Sequence, residues 1–155
     1  MATYGFGAAE VLGLRLDDVD WESKILHARR PKTGAIIELP LLPAVAKALA
    51  AYLRFARPGQ ADSRRIFLDT RIPHQPLTSG AIRHRIRYYA NKAGVDAAVL
   101  GAHIFRHSHA TRQVDSGTNL KILSDILGHQ RPSSTSVYVR VALERLRSVS
   151  LPVPR

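Results

Sequence analysis

HIFRHSHATRQVDSG (103–117) and ILGHQRPSSTSVYVRV (126–141) decide how this chain reads. The first places His103, Arg106, His107 and His109 within seven residues. Nothing from His103 to Ser116 breaks a helix, and Gly117 supplies the usual stop. A second helix is predicted over about Asn119–Leu127, capped by Thr118 and ended by Gly128, with Leu120, Leu123, Ile126 and Leu127 on one stripe. A third is predicted over about Ser133–Arg147. His129 follows the helix-ending glycine, and Tyr138 lies nine residues further on.

Working upstream, Thr78 or Ser79 caps a helix running to about Ala93, with Gly94 at its stop. It has a basic face of Arg83, Arg85, Arg87 and Lys92, and a core face of Ile82, Ile86 and Tyr89. Arg83 and Arg87 are one turn apart, placed for phosphate or guanine contacts. Ile66–Leu68 reads as a short buried strand, and Ala44–Phe55 as a helix with Val45, Leu49, Tyr52 and Leu53 at helical spacing. Lys24–Ala28 and Ala35–Leu39 are strand candidates separated by RRPKTG, which puts Lys32 and Thr33 at the tip of a hairpin. Asp17–Trp21 looks like an acidic turn. Ala8–Leu14 reads as the end of a helix whose beginning is expected before Met1. With no internal repeat or linker, residues 1–155 are expected to form one α+β domain, mostly helical with a small antiparallel sheet.

A chain of 155 residues with 45% hydrophobic content has the material for a real core. It has no apolar run of the roughly 20 residues that a membrane span requires, and no secretory signal pattern. A soluble, intracellular protein is therefore expected, with no membrane partner. The absence of cysteine excludes disulfide scaffolds, thiol catalysis and Cys-ligated metals. The formal net charge is +11, carried by 18 Arg and only 5 Lys. Residues 1–78 hold 11 basic and 8 acidic side chains, whereas 79–155 hold 12 and 4. Arginine's planar fork matches phosphate oxygens bidentately, so a polyanion facing the second half is the partner these numbers imply.

Taken singly, a lone Tyr is usually a core residue, a His after Gly a cap, and a hairpin Lys a solvated cation. Together the strings at 103–117 and 126–141, with EVLGLRLDDVDW (10–21) and RRPKTGAIIELPL (29–41), resemble the catalytic domain of the tyrosine recombinase, or phage integrase, family. The family's order of His-x-x-Arg, Leu-Gly-His and a Tyr nine residues beyond that His is intact. The resemblance implies that Tyr138 attacks a scissile DNA phosphate to form a 3′-phosphotyrosyl link. It implies that Arg106 and His129 bind the non-bridging oxygens, that His103 assists proton movement, and that Lys32 protonates the 5′-hydroxyl leaving group. Such fixed cationic donors stabilise the charge that grows in the transition state. Because the covalent link conserves the phosphoester, the resemblance implies no nucleotide cofactor, and no metal. It further implies double-stranded DNA as partner, a homo-tetramer on DNA and a monomer alone, with the tail 147–155 exchanged between neighbours. Its setting would be bacterial or phage cytoplasm, at the nucleoid.

Two departures stand beside the match. The family box Gly-Leu-Arg-x-x-Glu reads Gly5-Phe6-Gly7-Ala8-Ala9-Glu10 here, so Gly7 occupies the place of an arginine that binds phosphate. Glycine inside a helix costs about 1 kcal/mol relative to alanine, so helix stability gives no reason for it. Activity is expected to be impaired unless another arginine, Arg15 or Arg30, reaches the pocket. The alternative is an inactive DNA-binding remnant. The family's N-terminal DNA-binding domain is also expected to be missing. A rival of another class is a zinc site on His103 and His107 with His109 or His129, opposed by the absence of a Glu base and by Arg106. An RNA-binding protein is a weaker rival, lacking an aromatic stacking motif.

Overall fold

β2 (Ile25–Arg29) is the central strand of a three-stranded antiparallel sheet, between β1 (Val19–Asp20) and β3 (Ile36–Pro40). Register is set by Val19 opposite Leu26 and by the run from Ile25 opposite Pro40 to Arg29 opposite Ile36. Leu26 and Ala28 point to the buried face and alternate with half-exposed neighbours, as a period of two requires. The hairpin is the one expected, with each strand displaced by one residue. β1 was not expected: Asp17–Trp21 looks like a turn because its carboxylates hide a short pairing segment. Leu16–Asp18 forms a 3₁₀ turn and the next two residues pair with β2. β3 is an edge strand of this sheet, and its Ile36 is 56% exposed.

The computed structural model describes residues 1–95 and 101–127. The remaining helices are α1 (Ala8–Gly13), α2 (Pro43–Phe55), α3 (Ser79–Lys92), α4 (His103–Asp115) and α5 (Leu120–Leu127). The fold class is the expected α+β. Pro43 at the first turn of α2 suits its fixed φ and missing N–H. The Thr78 hydroxyl caps α3 by accepting from the Ala81 N–H at 3.2 Å, and Gly94 ends it at φ +71°. The helix predicted over Ser133–Arg147 lies outside the described residues.

Three expectations need correction. α1 starts at Ala8, behind turns at residues 2–5, so the segment expected to be the end of a longer helix is a short helix of its own. Gly7 precedes that helix rather than sitting within it, and the helix-interior penalty does not apply. Ile66–Leu68 is buried, but it makes isolated bridges instead of a strand: Arg65 pairs with Arg15, and Leu68 with Pro76. Tyr52 of α2 receives this segment, its ring 5.4 Å from that of Phe67 and its hydroxyl accepting from the Leu68 N–H.

The chain divides into two compact units, one comprising Ala8–Gly101 and the other Met1–Gly7 with the residues from Ala102 onward. In the first, Leu14, Val19, Leu26, Ala28, Leu41, Leu49, Ile66 and Leu68 are the buried apolar residues. In the second, Ala110, Leu123 and Leu127 form a cluster with Val114 against it. Gly5 closes on that cluster at φ +65°, where a Cβ would stand 2.7 Å from His109 Cδ2 and 2.9 Å from Leu127 Cδ2. Left-handed backbone costs a non-glycine residue roughly 1–2 kcal/mol, and forced overpacking 1–3 kcal/mol. Gly5→Ala is therefore expected to lower unfolding stability by about 2–5 kcal/mol, read as a lower urea midpoint at unchanged slope.

Candidate active site

His103 opens α4 and Arg106 lies one turn further along it, so both sit on the same face of one helix. His103 is exposed, and Arg106 is half-buried with its Nε shielded from solvent. The His103 and His107 rings meet edge-on at 6.3 Å. Among the described residues no three His, Asp or Glu side chains converge as a metal site. One further turn along α4, His109 is buried. Burial holds its imidazole below the ordinary 6.5, and Arg112, the N-terminus and Arg106 push the same way, against a hydrogen bond with the Ala2 backbone. α4 thus presents His103 and Arg106 one turn apart, with the buried His109 a further turn along.

Lys32 sits where expected, exposed at the turn between β2 and β3. The turn is closed by the Arg30 N–H donating to the Ala35 carbonyl at 2.7 Å and the Gly34 N–H donating to the Arg30 carbonyl at 2.8 Å. Arg83 and Arg87 are exposed on α3, where with Gly80, His84, Tyr88 and Asn91 they line one open groove. No carboxylate among the described residues pairs with either arginine. Tyr89 is 59% exposed and stacks edge-on with Tyr88, so it belongs to the solvent side of α3, not to the expected core face. His103 and Arg106 belong to one unit of the fold, and Lys32, Arg83 and Arg87 to the other. His129 and Tyr138 lie outside the described residues.

The pair formed by Glu10 of α1 and Arg30 escapes sequence reasoning. Their carboxylate and guanidinium are in direct contact, with side chains 6% and 9% exposed. Arg30 therefore does not stand free to replace the missing arginine. The available signal was the Glu at the end of the Gly-Leu-Arg-x-x-Glu box, a residue that attracts no role when only phosphate donors are sought. Arg15, the other candidate replacement, is exposed and bridges backbone to backbone with Arg65.

The model of the phage integrase family matches residues 1–145. The chain belongs to that family, the tyrosine recombinases. It is 37% identical over 157 residues to y4gC of Sinorhizobium fredii, a protein named as an integrase/recombinase, covering 99% of this chain and 79% of y4gC. It is 33% identical to the tyrosine recombinase XerD of Proteus mirabilis over 92% of this chain, but spans only 46% of XerD. In fold it is similar to the crystal structure of XerA recombinase, with a TM-score of 0.79 at 24% identity, covering 99% of this chain and 55% of XerA. The XerH site-specific recombinase in its post-cleavage complex also gives 0.79, at 20% identity, covering 96% of this chain and 42% of XerH. Among the described residues no helix of this family member is long and apolar enough to cross a membrane.

The His109 environment sets a pH dependence. Its depressed pKa means that the unfolded chain binds a proton the native state does not, so its contribution is complete above about 6.5 and is lost as pH falls through the native value. Urea unfolding between pH 7.5 and 5.5 is expected to show stability falling with pH, and His109→Gln to make that fall shallower.

Proposed function

We propose that this chain is the catalytic domain of a site-specific recombinase that cuts and rejoins DNA through Tyr138. The observation that carries this reading is the pairing of His103 with Arg106 on one face of α4, inside a family match that runs through Tyr138. The Tyr138 oxygen attacks the scissile phosphorus and the bond to O5′ breaks. Lys32 gives its proton to O5′, His103 takes part in moving the tyrosine proton, and Arg106 and His129 hold the non-bridging oxygens. Rejoining reverses the step: a 5′-hydroxyl attacks the phosphotyrosine and releases Tyr138. Ester bonds are conserved throughout, so no nucleotide is consumed.

Double-stranded DNA is the partner this reading requires. XerH is described as bound to its difH substrate, and a lambda integrase dimer as bound to a core site. Arg83 and Arg87 stand on an open face of α3 with no carboxylate partner among the described residues, suited to phosphates. Assembly on DNA is read as a homo-tetramer, with the tail 147–155 seated on a neighbour and a monomer in its absence. Residues 1–155 are read as a tyrosine recombinase catalytic domain that acts at the nucleoid.

Gly7 supports a second reading, a DNA-binding remnant without strand cleavage. Loss of one such donor costs on the order of 10²–10³ in rate. The deciding measurement is an SDS-resistant protein–DNA adduct on supercoiled plasmid carrying the gene's flanking DNA. Gly7→Arg is expected to raise the adduct rate about 10²-fold, and Tyr138→Phe to abolish it. Absence of adduct from every variant, with DNA binding retained, selects the remnant. In the binding arm, Arg83→Ala with Arg87→Ala is expected to flatten the log K against log salt slope by about 2.

A further inference from the structure

Lys32 can protonate a leaving oxygen only if its turn is held in place, yet the turn is exposed and the lysine side chain is long and flexible. A misplacement of roughly 1 Å at a reacting group costs about 10²-fold in rate. The turn's two backbone hydrogen bonds both involve Arg30. Two further bonds in the turn are long: Ala35 N–H to Thr33 Oγ1, and Arg29 Nη1 to the Gly34 carbonyl, each at 3.3 Å. Gly34, at φ +73°, has open space around it. The turn therefore has little packing of its own.

Arg30 supplies what the turn lacks. Its guanidinium is buried against Glu10 of α1, 20 residues away in sequence. Between this anchored residue and Lys32 stands only Pro31, which fixes its own φ and restricts Arg30 to extended backbone. A buried ion pair is a poor source of net stability, since desolvating two charges offsets most of their attraction, but it fixes the relative placement of the elements it joins. Here those elements are the helix that begins next to Gly7 and the turn that carries Lys32.

We infer that Arg30, through its buried pair with Glu10, is the positioning residue that holds the Lys32 turn against α1. Arg30 touches no phosphate in this role. The inference rests on the reading of Lys32 as the acid for the leaving group, and its test separates the two.

The full chain is compared with Arg30→Met, Arg30→Lys, the double variant Glu10→Met with Arg30→Met, and Lys32→Ala. The double variant guards against loss of folding, because removing both charges leaves neither stranded in the interior. Amide hydrogen exchange is expected to rise in residues 30–35 of the double variant while α2 and α3 keep their protection. Cleavage is measured on a duplex spanning the mapped adduct site, with either oxygen or sulfur bridging to the 5′ carbon. A thiolate leaves without a proton, so the sulfur duplex bypasses the acid. The double variant is expected to cut the oxygen duplex about 10²-fold more slowly and the sulfur duplex at the native rate, like Lys32→Ala, with Arg30→Lys recovering part of the loss. Unchanged exchange in residues 30–35 overturns the anchor. Slow cleavage of both duplexes overturns action through Lys32 and makes Arg30 a phosphate ligand. Native-rate cleavage of the oxygen duplex by Lys32→Ala overturns the acid role of Lys32 instead, whatever the exchange shows.

Discussion

A carboxylate and a guanidinium buried together, Glu10 against Arg30, join the first helix to the central sheet of this chain. Desolvating them is costly, so the pair exists only because the two elements meet closely enough for direct contact. Around it the surrounding structure is consistent. Strand β2 delivers Arg30 at its end, Leu26 and Ala28 bury the face beneath, and α1 brings one acid to the interior. The geometry of the Lys32 turn is inherited from that contact.

The excess of arginine is divided between two jobs. Among the described residues, many guanidiniums in the first half of the chain serve the fold. Arg65 donates to the Gly13 carbonyl at the end of α1, doing there what a capping residue does. Arg57 donates to the carbonyls of Ser63 and Arg65, Arg64 pairs with Asp17, and Arg71 with Asp69, whose carboxyl is lowered to about 2 by that contact. Arg83 and Arg87 on α3 meet no such partner among the described residues. The net charge of each half pointed in this direction, and among the described residues the first half spends more of its arginine on backbone carbonyls.

The sequence reveals elements whose signals are local. Thr78 and Gly94 bracket α3, the apolar spacing of Ala44–Phe55 marks α2, and Pro31 with Gly34 marks the hairpin turn, each within one residue or so of the observed boundary. What it hides depends on distant partners. Val19–Asp20 becomes a strand only because Leu26 and Ile25 lie opposite, and Tyr89 has a core-like spacing but no core above it. Arg30 and Glu10 look like two unrelated surface charges until the fold brings them together. Lys32, His103 and Arg106 could be named as candidate site residues because the family's motifs name them, whereas the contact that joins Glu10 to Arg30 can be read from no motif.

Among the described residues no strand pairs with the outer side of β3, which bears on the chain's behaviour at high concentration. Its outer row of backbone donors and acceptors is a template on which another extended segment can hydrogen-bond, and the exposed Ile36 would reward such pairing. The strand is only five residues long, carries the charged Glu38, and ends at Pro40, which has no N–H to offer. Brevity, charge and proline together make this edge a poor seed for fibrils, so the hairpin that presents Lys32 to solvent does so without inviting self-association.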